Sequence, residues 1–375
     1  MRTFRGVALF LPLLLAGCGG SATEQAFRDA APSTASLAID VDGGSAGADR
    51  ATSHMGPGDL PGEVCHPHLF VRTQLLAARL NQHVLMALSW VESVLRRAPV
   101  LATDETFVWQ ETRAGVEVRF TMTHPSEAVY TWNLELRPVG AEAWTSVFRG
   151  QIDRAGATGP HQGIGEMTID LAALKAVFPV LPVDGLVEAG FDLGADHRKL
   201  VVEAGGVRWA PLGMPMRGTP DLPEIAPPDA RYVYYREPAR GGSLKIADRM
   251  VFLCPDNPDL LPSEVRLVSR WYRLEDGSVH GRSDARSTEG ALPPEQRIVG
   301  VTCHARPADG TSDEGFWLMK LEEGDAVLWS RLYASADQAC DPAFGPVPAA
   351  DTTENDFDFG AVNFTDDVPY PFPGM

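Results

Sequence analysis

The sequence predicts an α+β fold that is mainly β, in which a long N-terminal amphipathic helix precedes antiparallel strands forming a curved sheet or open barrel. Three observations lead there. From Pro67 to about Arg97, apolar residues recur at steps of three and four, as on one side of a helix. Further on, short segments alternate apolar and polar residues with the period of two that a half-buried strand requires. No long helical segment separates these strands, which favours antiparallel neighbours over the crossovers of a doubly wound sheet.

The helical stripe consists of Leu69, Leu76, Leu80, Val84, Ala87, Val91 and Val94. Pro67 suits the first turn, where its missing N–H is no loss. Arg96 and Arg97 suit the last turn, at the negative end of the dipole, and Pro99 closes the run. At 1.5 Å per residue such a helix is about 45 Å long and needs an extended apolar partner.

The strands supply that partner. Val116, Val118, Phe120 and Met122 alternate with Glu117, Arg119, Thr121 and Thr123. Tyr130, Trp132, Leu134 and Leu136 alternate likewise with Thr131, Asn133, Glu135 and Arg137. Further strands are expected at 144–152, 163–171, 185–193 and 198–204, bounded by Gly, Pro and Asp turn residues. Asp170 caps a short helix through Val177 that Pro179 stops. Strands resume at 231–236, 243–254, 264–273, 278–286 and 297–305, and 316–321 with 327–333 read as a hairpin about Glu323-Gly324-Asp325.

The chain divides accordingly. Residues 1–17 read as a signal peptide and 18–62 as a flexible tether rich in Ala, Ser, Gly and Asp, with too little apolar content to offset the entropy of ordering. Such a coil spans roughly 35–40 Å end to end. Residues 63–210 carry the helix and a first strand set, and 211–229 form a Pro-rich connection that is either a domain boundary or a long surface crossing. Residues 230–345 carry a second strand set and 346–375 an acidic, Pro-rich tail.

The first seventeen residues bear on location. Arg2 and Arg5 precede an apolar run from Val7 to Leu15 that is too short for a stop-transfer helix. Leu15-Ala16-Gly17-Cys18 then resembles a bacterial lipobox, which implies acylation of Cys18 and cleavage before it. Gly19 and Gly20 follow with no Asp after the cysteine, which by the same resemblance favours the outer membrane of a bacterial cell envelope. Acylation contributes about 0.8 kcal/mol per buried methylene.

Charge narrows the partners. The chain carries −18, and loss of Arg2 and Arg5 with the signal makes it more negative. Nucleic acid requires clustered Lys and Arg on phosphates, and anionic lipid a polybasic patch. The sequence has neither, so the expected partners are the membrane through the lipid, and an apolar ligand or another envelope protein.

Besides Cys18 there are four cysteines, Cys65, Cys254, Cys303 and Cys340, an even number that suggests two disulfides in an exported protein. Three pairings are open. Cys303 with Cys340 and Cys65 with Cys254 is the preferred set, because the second bond would staple the start of the folded region to its middle. The alternative is four buried thiols.

Motifs for catalysis are missing at the sequence level: no Gly-x-Ser-x-Gly, no His-Glu-x-x-His, no phosphate loop ending in Gly-Lys-Ser/Thr. Gly163-Ile164-Gly165 lacks a third glycine, and Asp358-Phe359-Gly360 sits in an acidic tail with no kinase loops upstream. The best metal candidates are Cys65, His66 and His68, soft or borderline donors at the start of the helix. Pro67 stiffens the backbone between the imidazoles, and oxidation of Cys65 would remove its thiolate, so helix capping is the simpler reading. No cofactor is expected.

Ser269-Arg270-Trp271, Gly281 to Arg286, Gly290 and Cys303 are similar to stretches of uncharacterised exported bacterial lipoproteins, a resemblance that implies location and no chemistry. Arg282-Ser283-Asp284-Ala285-Arg286 reads as an alternating strand whose charged face is solvated. The plan of one long helix beside a meander of aromatic-rich strands resembles lipoprotein-carrier proteins, in which a curved open barrel holds acyl chains. The expectation is therefore a membrane-anchored, non-catalytic binding or scaffold module. Its alternatives are an apolar-ligand carrier and a secreted hydrolase whose site is assembled from distant residues.

Overall fold

Among the described residues, fifteen antiparallel strands follow one another in a single unclosed sheet, and their order in the sheet is their order in the chain. The computed structural model describes residues 21–41, 69–181, 183–209, 230–238, 240–250, 263–288, 292–306, 314–334 and 340–344. The strands are β1 (Leu101–Ala102), β2 (Thr106–Arg113), β3 (Val116–Ser126), β4 (Val129–Pro138), β5 (Thr145–Asp153), β6 (Gly163–Asp170), β7 (Val183–Leu193) and β8 (Arg198–Trp209). They continue as β9 (Ala230–Glu237), β10 (Gly241–Met250), β11 (Ser263–Arg273), β12 (Val279–Thr288), β13 (Gln296–Arg306), β14 (Glu314–Glu323) and β15 (Ala326–Ala334). Short connections make this order natural, because adjacent antiparallel strands can be joined by tight turns. Between β2 and β3 the turn residues Ala114 and Gly115 both have positive φ, 49° and 80°, the pair of values a two-residue hairpin of matching twist needs.

Alternation fixes the two faces. In β3 and β4 every second residue is buried, namely Val116, Val118, Phe120 and Met122, then Tyr130, Trp132, Leu134 and Leu136. This inner face carries the helices. Leu69–Leu95 form a 27-residue helix, and Ala22–Ala30, Thr34–Leu37 and Leu171–Val177 form shorter ones, so that in chain order they are α1 (Ala22–Ala30), α2 (Thr34–Leu37), α3 (Leu69–Leu95) and α4 (Leu171–Val177). Along α3 the residues Leu80, Val84, Ala87, Leu88, Val91 and Val94 are buried, and the helix contacts β2 and β3 at one side and β11, β12 and β13 at the other. Asp170 caps α4, its carboxylate accepting the Ala173 N–H at 2.7 Å. Trp90 of α3 meets Phe178 just past α4 edge to face, with ring centroids 5.2 Å apart.

The tether expected over 18–62 is corrected for its first half, since residues 21–41 are folded onto the inner face. Ser21 caps α1 through Glu24 N, and Ser33 caps α2 in a box with Ser36. Phe27, 1 % exposed, lies 4.5 Å from the Phe107 ring and 5.2 Å from that of Tyr130. The Asn81 amide donates to Ile39 O at 2.6 Å and accepts from Ile39 N at 2.7 Å, as a neighbouring strand would. Glu92 accepts from both Thr34 N and Thr34 Oγ1, and Arg236 pairs with Asp40, whose carbonyl also accepts the Tyr234 hydroxyl at 3.0 Å. The ordering entropy is offset by few apolar groups because each lands on the core and the backbone between them finds side-chain partners. The remainder of that stretch lies outside the described residues.

The Pro-rich connection does not separate two sheets. β8 and β9 flank it and pair directly, from Arg198 opposite Arg236 to Ala204 opposite Ala230. Both strand sets thus share one sheet and one main core cluster.

Where α3 begins, the inner face turns polar. Thr73 Oγ1 lies 2.5 Å from Ser269 Oγ, which lies 2.7 Å from Ser283 Oγ, while Leu69 N donates to Thr302 Oγ1 at 3.3 Å. These buried hydroxyls satisfy one another and the first turn of the helix.

Candidate functional site

The two faces of the sheet differ in exposure, and the open part of the outer face holds the best candidate site. Register aligns Asn133, Arg149, Thr168, Glu188, Glu203 and Arg231 in one row across β4 to β9. The adjacent row runs Thr131, Gln151, Glu166, Gly190 and Val201. Gly190 interrupts that carpet of side chains: a Cβ built on it meets nothing within 4 Å. The gap opens into a groove of about 830 Å3 lined by both rows.

Several groove side chains are already engaged. Ser146 Oγ donates to Asn133 Oδ1 at 2.6 Å, Gln151 Nε2 to Glu166 Oε1 at 3.0 Å, and Arg231 Nε lies 3.3 Å from Glu203 Oε1. Arg149 and Glu188 make no hydrogen bond or ion pair with the described residues, which leaves a guanidinium donor and a carboxylate acceptor free in one depression. Two residues along β4 the surface is closed off. There Arg119 pairs with Glu135 at 2.8 Å and Arg137 with Glu117 at 2.6 Å, and the guanidinium carbons stand 4.2 and 4.4 Å from the Trp144 ring centre. The groove contains no His, Cys or Lys among its described residues. Its described side chains, Glu166, Glu188 and Glu203 among them, offer donors and acceptors to a polar ligand.

A second constellation joins the carboxy-terminal residues to β11 and β12. Cys303 and Cys340 form a disulfide. Next to it the Asp341 carboxylate accepts hydrogen bonds from the Tyr272 hydroxyl, from His280 Nδ1 at 2.6 Å and from Ala343 N at 2.9 Å. Partial burial pushes the Asp341 pKa up, but these hydrogen bonds outweigh it and hold the group below its ordinary value. Burial first, then Asp341, raises the Tyr272 hydroxyl above its ordinary range. With both oxygens of Asp341 occupied, the arrangement acts as a clasp for the segment Cys340–Phe344.

Of the residues singled out by sequence, Cys303 and Cys340 are brought together. Cys18, Cys65, His66, His68 and Cys254 lie outside the described residues, as do Asp358-Phe359-Gly360 and most of the Pro-rich connection and acidic tail. His124 stacks on Tyr130 at 4.4 Å, His161 bonds Ala31 O at 2.7 Å, and His197 sits between Asp192 and Asp196. Among the described residues no three His, Cys, Asp or Glu side chains converge as metal ligands.

The solvated reading of Arg282-Ser283-Asp284-Ala285-Arg286 is corrected. Ser283 and Ala285 face the helix layer, and on the opposite face Arg282 and Asp284 are only 3 % and 7 % exposed, so this strand is buried on both sides. Arg282 Nε reaches Asp284 Oδ1 at 3.0 Å, and Arg270 Nη2 lies 3.4 Å from Asp284 Oδ2. The groove itself escaped sequence reasoning. Its one signal was Gly190 inside a strand, a mark of backbone left open to approach.

No family model, curated protein or solved structure matches the chain.

Proposed function

We propose that the chain is a lipid-anchored, non-catalytic module of the bacterial envelope, attached through Cys18, that binds a polar ligand or partner in the groove on β4 to β9. The observation that carries the reading is the free Arg149 and Glu188 beside the gap at Gly190, an arrangement able to recognise a group bearing both donors and acceptors. The placing of α1 to α4 on the apolar face supports it further. In a curved open barrel that holds acyl chains, this is the face lipid would occupy, and here Phe27, Leu88, Val91 and Trp109 already fill it.

The test is native mass spectrometry of the gently extracted protein beside Gly190→Trp, in which the indole fills the groove. The added side chain starts in open space, so the fold is expected to stand. A polar adduct on the natural chain that the variant lacks is the expected result. An acyl-chain adduct retained by both proteins would replace this reading with the apolar carrier, and an adduct-free natural chain would replace it with a scaffold.

A further inference from the structure

The row that carries the two unengaged charges of the groove also sets their spacing. Arg149 of β5 stands opposite Thr168 of β6, and Thr168 stands opposite Glu188 of β7. Neighbouring strands lie about 4.8 Å apart, so Arg149 and Glu188 are rooted about 9.5 Å from each other with Thr168 between them. Both charged side chains are exposed, and they form no ion pair with one another. The other charged side chains of the lining are engaged: Glu203 has Arg231 at 3.3 Å, and Glu166 accepts from Gln151 at 3.0 Å.

Charge then selects among polar ligands. The described lining sets two guanidiniums, Arg149 and Arg231, against three carboxylates, Glu166, Glu188 and Glu203. A ligand bearing only negative charge would meet that acidic lining with Arg149 as its one unengaged cation. A ligand with a carboxylate at one end and an ammonium at the other serves Arg149 and Glu188 together. Peptides carry these groups at their two ends, and an extended residue spans about 3.3–3.6 Å, so three residues reach about 10–11 Å, close to the separation of Arg149 and Glu188. Between the ends, the peptide amides would cross Thr168, whose hydroxyl can donate and accept, and the opening at Gly190, where a Cβ would meet nothing within 4 Å. We infer that the groove takes a short zwitterionic peptide of about three residues, its carboxylate on Arg149 and its ammonium on Glu188. The inference rests on the reading of this groove as a binding site for a polar ligand, and adds the ligand's chemical class and length.

Calorimetric titration of the gently extracted full chain with glycine, diglycine, triglycine, tetraglycine and pentaglycine tests it. Affinity is expected to peak at triglycine. Acetylating its amino end or amidating its carboxyl end is expected to weaken binding by about tenfold each, the loss of one charge-assisted contact. Arg149→Gln should abolish the effect of amidation and keep that of acetylation, and Glu188→Gln should do the converse, whereas a merely structural role for either residue would weaken every peptide alike. Affinities that ignore peptide length and end groups overturn the inference, and so does a triglycine that fails to bind. The broader reading fails separately. A polar adduct on the extracted chain that Gly190→Trp lacks, together with no binding of triglycine, keeps the groove as a binding site and overturns the zwitterionic peptide; a chain with neither adduct nor peptide binding overturns both.

Discussion

Replacing Val91 with aspartate tests the packing of α3 most directly. Val91 is fully buried, one turn from the equally buried Leu88 and Val94, on the side of the helix that faces the sheet. Removing the valine forfeits about 1.5–3 kcal/mol of apolar burial. The carboxyl that replaces it finds no water, and either stays charged at a cost of several kcal/mol or takes up a proton. Together these losses approach the 5–15 kcal/mol that holds a typical domain. Ser89→Asp is the control, because Ser89 is exposed on the same helix and should cost less than about 1 kcal/mol. Chemical denaturation of both proteins at pH 7 measures the difference. A second signature follows from the sign of the pKa change. The introduced aspartate, buried in the folded state, has its folded pKa raised, so its penalty grows as pH rises above the unfolded value near 3.9 and shrinks below it. The gap between Val91→Asp and the natural chain should therefore narrow toward about pH 3.5. Equal stability of Val91→Asp and Ser89→Asp at pH 7 would refute the packing of α3 against the sheet.

Two further outcomes are expected. Cys18→Ser should move the protein from the detergent to the aqueous phase when cells are extracted and phase-separated, and continued detergent partition would refute attachment through Cys18. Asp341, whose folded pKa is depressed by its three donors, contributes stability that is present above its unfolded pKa and is lost as pH falls through the folded one. Asp341→Asn should hence be less stable than the natural chain at pH 7 and equal to it at about pH 2–3, as read by denaturant melts; a pH-independent difference would refute the clasp.

Much of the sheet was legible because a strand's period of two survives in sequence. β3 and β4 alternate without a break, and the positions of Val116 and Tyr130 alone assign the inner face. β2 carries the same signal in Phe107 and Trp109, although the strands expected from sequence start only at β3. Residues 21–41 were illegible for a different reason. Averaged over a window their apolar content is low, and their order depends on Asn81, Tyr234 and Arg236, which lie far away in sequence. In β12 the alternation was visible, yet alternation says only that two faces differ. It does not say that the charged one is covered, and here Arg282 and Asp284 are buried in a pair with each other, with Arg270 of β11 on Asp284 and Phe344 O on Arg282. The groove depends on register across six strands and on a missing side chain at Gly190, neither of which a local pattern contains.

The folding of residues 21–41 changes what a lipid at Cys18 would do. α1 is capped by Ser21, three residues after Cys18, and Arg28 Nη2 ties it to the end of α3 through Arg97 O at 2.9 Å. Three residues fully extended reach about 10 Å, far short of the roughly 35–40 Å of a free coil as long as residues 18–62. If the lipid holds the chain, the folded part is therefore held against the headgroups rather than clear of them. It would be held there despite a net charge more negative than the full chain's −18, which an anionic leaflet repels. Neutron reflectometry of the acylated protein on a supported bilayer should show protein density beginning within about 10 Å of the headgroups. Inserting a flexible Gly-Ser spacer after Gly20 should move that density outward and leave the melting temperature unchanged. A solvent gap of roughly 35–40 Å in the natural chain would mean that α1 leaves the inner face on the membrane, and the packing of Phe27 against Phe107 would then belong only to the unanchored protein.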